Sequence, residues 1–247
     1  MFEEFPKERQ PLPGPYQAIL QKHYLENREG LTRSSSITKL MESWMHAQIA
    51  ADVHNKPAMI KPTLEIGAGT LNHLSYEKNI QPYDIVEPNE ALLMAFPERR
   101  NNIRSLYADI FQVPTEARYD RVISIATFEH LEDLPAVISK TALLLNEGGN
   151  LRIAIPNEGC WLWKLGYQMT SGVEFWLRHR LDYQKIMAYE HVNTASDIED
   201  VLKYFFATVE CRVMGLTKQA AFYRFYSCLG PNRERCASFL KERNINS

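Results

Sequence analysis

The sequence predicts an α/β fold, a doubly wound and mostly parallel sheet that finishes in an antiparallel hairpin. Three observations predict it. Strand-like apolar runs and helical patterns alternate from about Thr63 to Asn157, and parallel strands need such helical crossovers. The run Leu64-Glu65-Ile66-Gly67-Ala68-Gly69-Thr70 reads as a buried strand emptying into a glycine turn, where the missing Cβ lets backbone approach a ligand. Further on, residues 207–216 and 220–228 are strand-like runs joined by the short link Thr217-Lys218-Gln219, which is a hairpin pattern.

The elements follow in order. Residues 1–15 are proline-rich and predict an irregular arm wrapped on the surface. Residues 15–27 read as a first helix, with Tyr16, Ile19, Leu20, His23 and Tyr24 on one face. Ser34-Ser35-Ser36 is an N-cap cluster ahead of a stronger helix over 37–53, whose apolar positions include Leu40, Met41, Trp44, Met45 and Ile49. Lys56-Pro57 ends it. Residues 1–60 therefore form an arm and helices that either close over the site as a lid or pack on the sheet, ahead of a main domain over 61–247.

A second strand, Tyr83-Asp84-Ile85-Val86-Glu87-Pro88, ends in an acid twenty residues after Gly67. In doubly wound sheets that acid accepts hydrogen bonds from ribose hydroxyls. Tyr107-Ala108-Asp109-Ile110 follows a short apolar run around Ile103 and Leu106. A fourth strand over 119–126 leads into Thr127-Phe128-Glu129-His130-Leu131, a helical pattern, and a fifth strand covers 151–157. An insertion over 158–193 is rich in aromatics, among them Trp161, Trp163, Tyr167, Phe175, Trp176 and Tyr183. It predicts a pocket wall, the core of a small helical cap, or a dimer contact. Ser196 and Glu199 form a capping-box pattern for a helix through about Phe205, and a charged tail after Pro231 is a peripheral helix or a frayed end.

Bulk properties narrow the partners. At 247 residues the chain is long enough to bury a sizeable core. A formal charge of −2 argues against a nucleic-acid partner. There is no apolar stretch long enough to span a membrane, and Glu3, Glu4, Lys7 and Glu8 among prolines leave no apolar signal core. Cys160, Cys211, Cys228 and Cys236 lack zinc or paired spacing, so reduced thiols and a cytoplasmic location are expected. Oligomeric state is not legible at this level.

The Glu65-x-Gly67-x-Gly69 motif and the segment FEHLEDLPAVISKTALLLNEGGNLRIAIPN resemble class I S-adenosylmethionine (SAM) methyltransferases. The resemblance is to the broad group that includes ubiquinone-biosynthesis O-methyltransferases and sugar and natural-product enzymes. It implies a seven-stranded Rossmann-like sheet, SAM as cofactor and S-adenosylhomocysteine as product. A nicotinamide fingerprint would need a glycine where Asn72 stands, and the family's own last glycine falls on Leu71. The resemblance places the Gly67-Ala68-Gly69 backbone along the methionine and ribose, with Glu65 at the amino end. Glu87, followed by Pro88, sits at the ribose, Asp109 and Ile110 at the adenine, and Ile125 and Ala126 at the methionyl portion.

His130, just past the fourth strand, and His191, between the insertion and the capped helix, are the candidate general bases. Ubiquinone-type relatives carry E-x-x-E-H here and hold a divalent metal with it; Ala126 replaces the first acid, so no metal site is expected. The implied activity is methyl transfer to a small-molecule or carrier-bound acceptor, at oxygen, on a sugar or a ubiquinone-like or natural-product intermediate. The alternative is an inactive SAM-binding sensor or scaffold, motivated by Leu71 and Ala126.

Overall fold

The computed structural model describes residues 2–17, 19, 35–54, 59–77, 80–94 and 97–245. Its seven strands are β1 (Met59–Ile66), β2 (Ile80–Val86), β3 (Ser105–Tyr107), β4 (Tyr119–Ile125), β5 (Leu145–Pro156), β6 (Phe206–Thr217) and β7 (Ala220–Pro231). They form one sheet in the order β3-β2-β1-β4-β5-β7-β6. The first five are parallel, and β7 runs antiparallel to both β5 and β6. The chain winds outward from β1 to β3 and then returns to place β4 beside β1. That reversal leaves a crevice at the carboxyl ends of β1 and β4, where ligands bind in open α/β sheets.

Among the described residues the helices include α1 (Ser35–Ala50), α2 (Glu90–Met94), α3 (Leu134–Leu144), α4 (Trp161–Tyr167), α5 (Val173–His179), α6 (Tyr183–Glu190), α7 (Ala195–Phe205) and α8 (Arg233–Glu242), with a π turn between α4 and α5. Leu64, Val122, Ile123, Leu151 and Ile153 are fully buried, as strands covered on both faces require. One face packs on α3 and α7 through Ile138, Leu144, Ile198 and Leu202; the other packs on α1 through Met45 and Ile49. The charged tail is helix α8, which buries Cys236 and Leu240. The arm buries Phe5 and Leu12.

Several local expectations shift. The capping box of α7 is Thr194 with Asp197, in place of Ser196 with Glu199: Asp197 N donates to Thr194 Oγ1 at 3.2 Å and Thr194 N to Asp197 Oδ2 at 2.9 Å. Ser196 already lies inside the helix, and Glu199 is drawn to Lys218 and Arg224 instead. After β4 the helical pattern becomes a 3-10 turn, Phe128–His130, and α3 starts at Leu134, where Pro135 suits a first turn that needs no N–H. β5 begins at Leu145, ahead of the predicted 151. Most of the helix read over 15–27, the residue Ser34 and the Lys56-Pro57 stop lie outside the described residues.

α1 is fastened to the sheet by charge. Arg121, fully buried in β4, donates to both oxygens of Glu77 at 2.8 and 2.7 Å, lies 2.9 Å from Asp52, and reaches the Ile49 carbonyl at 3.2 Å. Arg152 of β5 donates to the carbonyls of Ile49 and Gln48 at 2.8 and 2.6 Å. Two arginines thus satisfy carbonyls that the end of α1 leaves without helical partners. Burial alone would raise the Glu77 carboxyl, but hydrogen bonds from His73 and Arg121 outweigh it and hold the group at about 2.

Arg121→Ala should cost about 3–5 kcal/mol in urea unfolding, because it strands a buried carboxylate. The wild-type contribution is present above the ordinary Glu77 value of 4.5 and is lost as pH falls toward about 2. A loss under about 1 kcal/mol, the range of an exposed pair, would remove the network from the stability of the fold.

Candidate active site

The carboxyl ends of β1 and β4 open into a cavity of about 310 Å³. Of the residues the sequence singles out, Glu65, Gly67, Ala68, Ile125, Ala126, His130 and His191 line it. Gly67 takes φ +75°, and a Cβ there would stand 2.1 Å from Thr127 Oγ1, so the turn admits only glycine. Its N–H donates to the Val86 carbonyl at 2.8 Å. Leu71, where the family's last glycine falls, keeps a left-handed backbone with φ 60°. That conformation costs about 1–2 kcal/mol. The side chain, 1% exposed in the core beside Met45 and Ile49, offsets the cost by burial worth about 1.5–3 kcal/mol.

Other expected cofactor residues sit outside the cavity lining. Glu87 is buried and accepts from Gly69 N at 2.7 Å and Asn89 N at 2.9 Å, which ties the turn to the end of β2. Pro88 and Asp109 are exposed, and Ile110 is buried. The Asp109 carboxylate caps the next turn, accepting from Phe111 N at 2.9 Å.

At the turn end, Glu65 is buried and accepts from the Tyr83 hydroxyl at 2.9 Å. Burial raises its carboxyl to about 8 against that hydrogen bond, with the charges of Glu77 and Glu87 adding to the rise. α1 contributes Glu42, Met45 and His46 to the cavity. His46 stacks on His73, with the two Nδ1 atoms 2.9 Å apart, and His73 Nε2 lies 2.8 Å from Glu77. Burial, and then the charge of His73, hold His46 down to about 3. The helix read as either lid or packing element packs on the sheet, and its inner face walls the cavity.

At the opposite end the two histidines meet. His191 Nδ1 donates to Glu158 Oε2 at 2.7 Å, and Trp163 Nε1 donates to the same oxygen at 2.7 Å. His130 Nδ1 donates to the Glu190 carbonyl at 2.9 Å. Both partners can only accept, so each Nδ1 carries the hydrogen and each neutral ring keeps its lone pair on Nε2. The rings meet edge to face with centroids 4.8 Å apart, and His130 Nε2 lies 3.7 Å from Glu129 Oε1.

Glu129, His130 and His191 each place one donor atom within 4.8 Å of the others, a grouping able to share a proton or hold a cation. The expectation of no metal rested on Ala126 alone; His191 arrives from the far end of the insertion. Burial would lower the His191 imidazolium, but the hydrogen bond to Glu158 and the charges of Glu129, Glu158 and Glu190 raise it above its ordinary value. Burial would likewise raise the Glu158 carboxyl; hydrogen bonds from His191 and Trp163 and the His191 charge hold it below its ordinary value.

Glu158 escaped the sequence reading, although it stands at the carboxyl edge immediately after β5, the same kind of position that singled out His130. The insertion divides: Trp163, Tyr167 and Tyr183 face the cavity, Phe175 packs with Leu12 and Tyr16 of the arm, and Trp161 and Trp176 are exposed.

Glu65→Gln should stabilise the protein increasingly as pH rises. A carboxyl raised from 4.5 to about 8 in the folded state favours folding fully only below 4.5 and loses that contribution as pH climbs to about 8. Thermal midpoints at the two ends of that range check it; a gap that does not widen with pH would exclude burial as the cause.

A methyltransferase-domain family model matches residues 39–205, more than half of the chain. No curated protein matches the chain significantly in sequence. The CurJ carbon methyltransferase superimposes with a TM-score of 0.59 at 20% identity, over 89% of this chain and 62% of that one, so the chain spans about three-fifths of it. A SAM-dependent methyltransferase from Thermotoga maritima gives 0.55 at 13% identity, over 87% of this chain and 97% of that one. The N-methyltransferase NodS from Bradyrhizobium japonicum, in complex with S-adenosylhomocysteine, gives 0.53 at 12% identity, over 87% and 99%. These likenesses are likenesses of fold. The glycine turn at the carboxyl end of β1, the strand order and the family match converge, and the chain belongs to the class I SAM-dependent methyltransferases.

Proposed function

We propose that this methyltransferase transfers the methyl group to the hydroxyl oxygen of a small-molecule or carrier-bound acceptor, with His191 as general base and Glu158 orienting it. The single observation that carries the reading is the 2.7 Å bond from His191 Nδ1 to Glu158, which leaves Nε2 as the basic atom on a residue lining the cavity. SAM supplies an already activated methyl, so the protein's main task is alignment. A base matters where the acceptor is a poor nucleophile such as a hydroxyl. As the acceptor oxygen takes the methyl, its proton passes to His191 Nε2, and His130 and Glu129 lie close enough to share it. Trp163, Tyr167, Tyr183 and Tyr223 on the cavity wall favour a ring-bearing acceptor, a sugar or a ubiquinone-like or natural-product phenol.

In the same reading the Gly67-Ala68 backbone borders the methionine part of the cofactor, Glu65 its amino end, and Ile125 and Ala126 its methionyl chain. Glu87, bonded to Gly69, and Pro88 stand at the ribose, and Asp109 and Ile110 at the adenine. The left-handed backbone kept at Leu71 supports a working turn over an inactive sensor. Carbon and nitrogen acceptors belong to the structural neighbours, whose identities of 20% or less bear on fold alone. No helix among the described residues is long and apolar enough to cross a membrane. The free cysteines support a cytoplasmic location, and the modest net charge supports a small acceptor over nucleic acid.

His191→Ala should lower kcat about 10²–10⁴-fold with S-adenosylhomocysteine affinity unchanged. Assays would follow labelled SAM into panels of phenols and sugars. Turnover should rise with pH through the raised His191 value. Glu158→Gln, which removes a carboxylate that favours the imidazolium, should move that limb to lower pH and reduce the plateau. EDTA should leave turnover unchanged. Full turnover in His191→Ala, or methylation of carbon or nitrogen, would overturn the reading. Separately, Glu87→Lys should abolish S-adenosylhomocysteine binding in calorimetry, and unchanged affinity would remove Glu87 from the site.

A further inference from the structure

The two histidines arrive on different chain segments with no strand pairing to set their spacing: His130 ends the 3-10 turn after β4, and His191 follows the last residue of α6. Part of the tie comes from Asn193, fully buried, whose side-chain amide donates to the carbonyls of Phe128 and Leu131 at 2.9 and 2.7 Å. Its backbone N–H donates to the Glu129 carbonyl at 3.1 Å. The other part comes from the N-terminal arm. Arg9 Nη2 donates to the His130 carbonyl at 2.7 Å, while Nη1 donates to the Tyr189 and Glu190 carbonyls at 3.1 and 3.5 Å. Its Nε donates to Glu132 at 2.8 Å.

We propose that Arg9 is a positioning residue for the acid–base pair: from the arm, its guanidinium clamps the His130 loop to the end of α6 and so fixes the ring of His130 against that of His191. The proposal rests on the acid–base reading of these histidines.

Three physical points support it. Tyr189 and Glu190 sit in the last turn of α6, where carbonyls lack helical partners and a cation is favoured. The planar fork of a guanidinium reaches three carbonyls and a carboxylate at once, which a lysine ammonium on a single stem cannot reproduce. And the Glu190 carbonyl that Arg9 holds is the one that accepts from His130 Nδ1, so the clamp and the tautomer of His130 share an atom. The arm is anchored on both sides of Arg9, by buried Phe5 and Leu12, and Lys7 adds a parallel tie to the Val192 carbonyl and Asp197 at 3.2 and 2.7 Å. Arg9 lies outside residues 39–205, the part matched by the methyltransferase-domain model.

The test uses the full chain labelled with ¹⁵N-histidine, wild type, Arg9→Ala and Arg9→Lys, with His130→Gln to assign the resonance. Long-range ¹H–¹⁵N spectra at mildly alkaline pH report which ring nitrogen carries the hydrogen. The wild-type His130 should be the Nδ1–H form. Arg9→Ala should release it to the Nε2–H form, millimolar guanidinium should restore it, and Arg9→Lys should stay unrestored, while S-adenosylhomocysteine affinity changes less than about twofold in each. With an acceptor in hand, kcat should fall about 100-fold, the effect of an ångström-scale misplacement, with KM for SAM unchanged. A wild-type Nε2–H ring would overturn the acid–base geometry itself. A wild-type Nδ1–H ring that folded Arg9→Ala leaves unchanged would overturn only the role of Arg9. If Arg9→Ala fails to fold, an unaltered tautomer in Arg9→Lys does the same.

Discussion

A guanidinium buried in the middle of β4 cannot be left without counter-charge, and much of the architecture around the site follows from satisfying Arg121. Glu77 comes from the turn after the glycine loop and Asp52 from beyond the end of α1, so the ion group draws two separate segments onto one strand. Because Glu77 also bonds His73, which stacks on His46, the same charges that secure α1 to the sheet aim its inner face at the cavity. A helix held this way is a wall before it is a lid. Desolvation makes such a group weak as a source of net stability but strongly sensitive to the loss of any one member.

Two carboxyl groups have opposite proton habits: Glu65 on the cavity wall, and Glu158 behind the wall residues His191 and Trp163. Glu65, sealed at the end of β1 with a tyrosine hydroxyl, is pushed up by burial and holds a proton near neutrality. Glu158 has nearly the same intrinsic chemistry, yet hydrogen bonds from an imidazole and an indole hold it low, and in return it holds His191 high. Environments that separate the pKa values of like groups are how one pocket divides acid and base work. Here the division falls along the cavity, with a protonated carboxyl at the glycine turn and a carboxylate–imidazole pair at the other end.

What was legible in the sequence was local. The glycine turn, the acid closing β2, the terminal hairpin and the histidine past β4 follow from spacing and residue type, and all are found where periodicity places them. Leu71 reads as a defect because a sequence shows a side chain and not a φ angle; buried apolar contact lets leucine hold a glycine-like backbone. The capping box slipped because Thr194-x-x-Asp197 and Ser196-x-x-Glu199 both fit the pattern, and contacts of Glu199 with Lys218 and Arg224, across the fold, decide between them.

By itself, then, the sequence determined the order of the elements, the doubly wound class and the glycine turn, since these depend on neighbours a few residues apart. Only the tertiary structure decided which polar groups meet. Glu158 finds His191, Arg9 finds the carbonyls of His130 and Glu190, and Asp109 turns to a backbone N–H next to it. Such partnerships join residues tens to more than a hundred positions apart, or choose among equivalent local options. They are set by how β5, the insertion and the arm pack over the carboxyl edge of the sheet, and spacing along a chain carries no record of that packing.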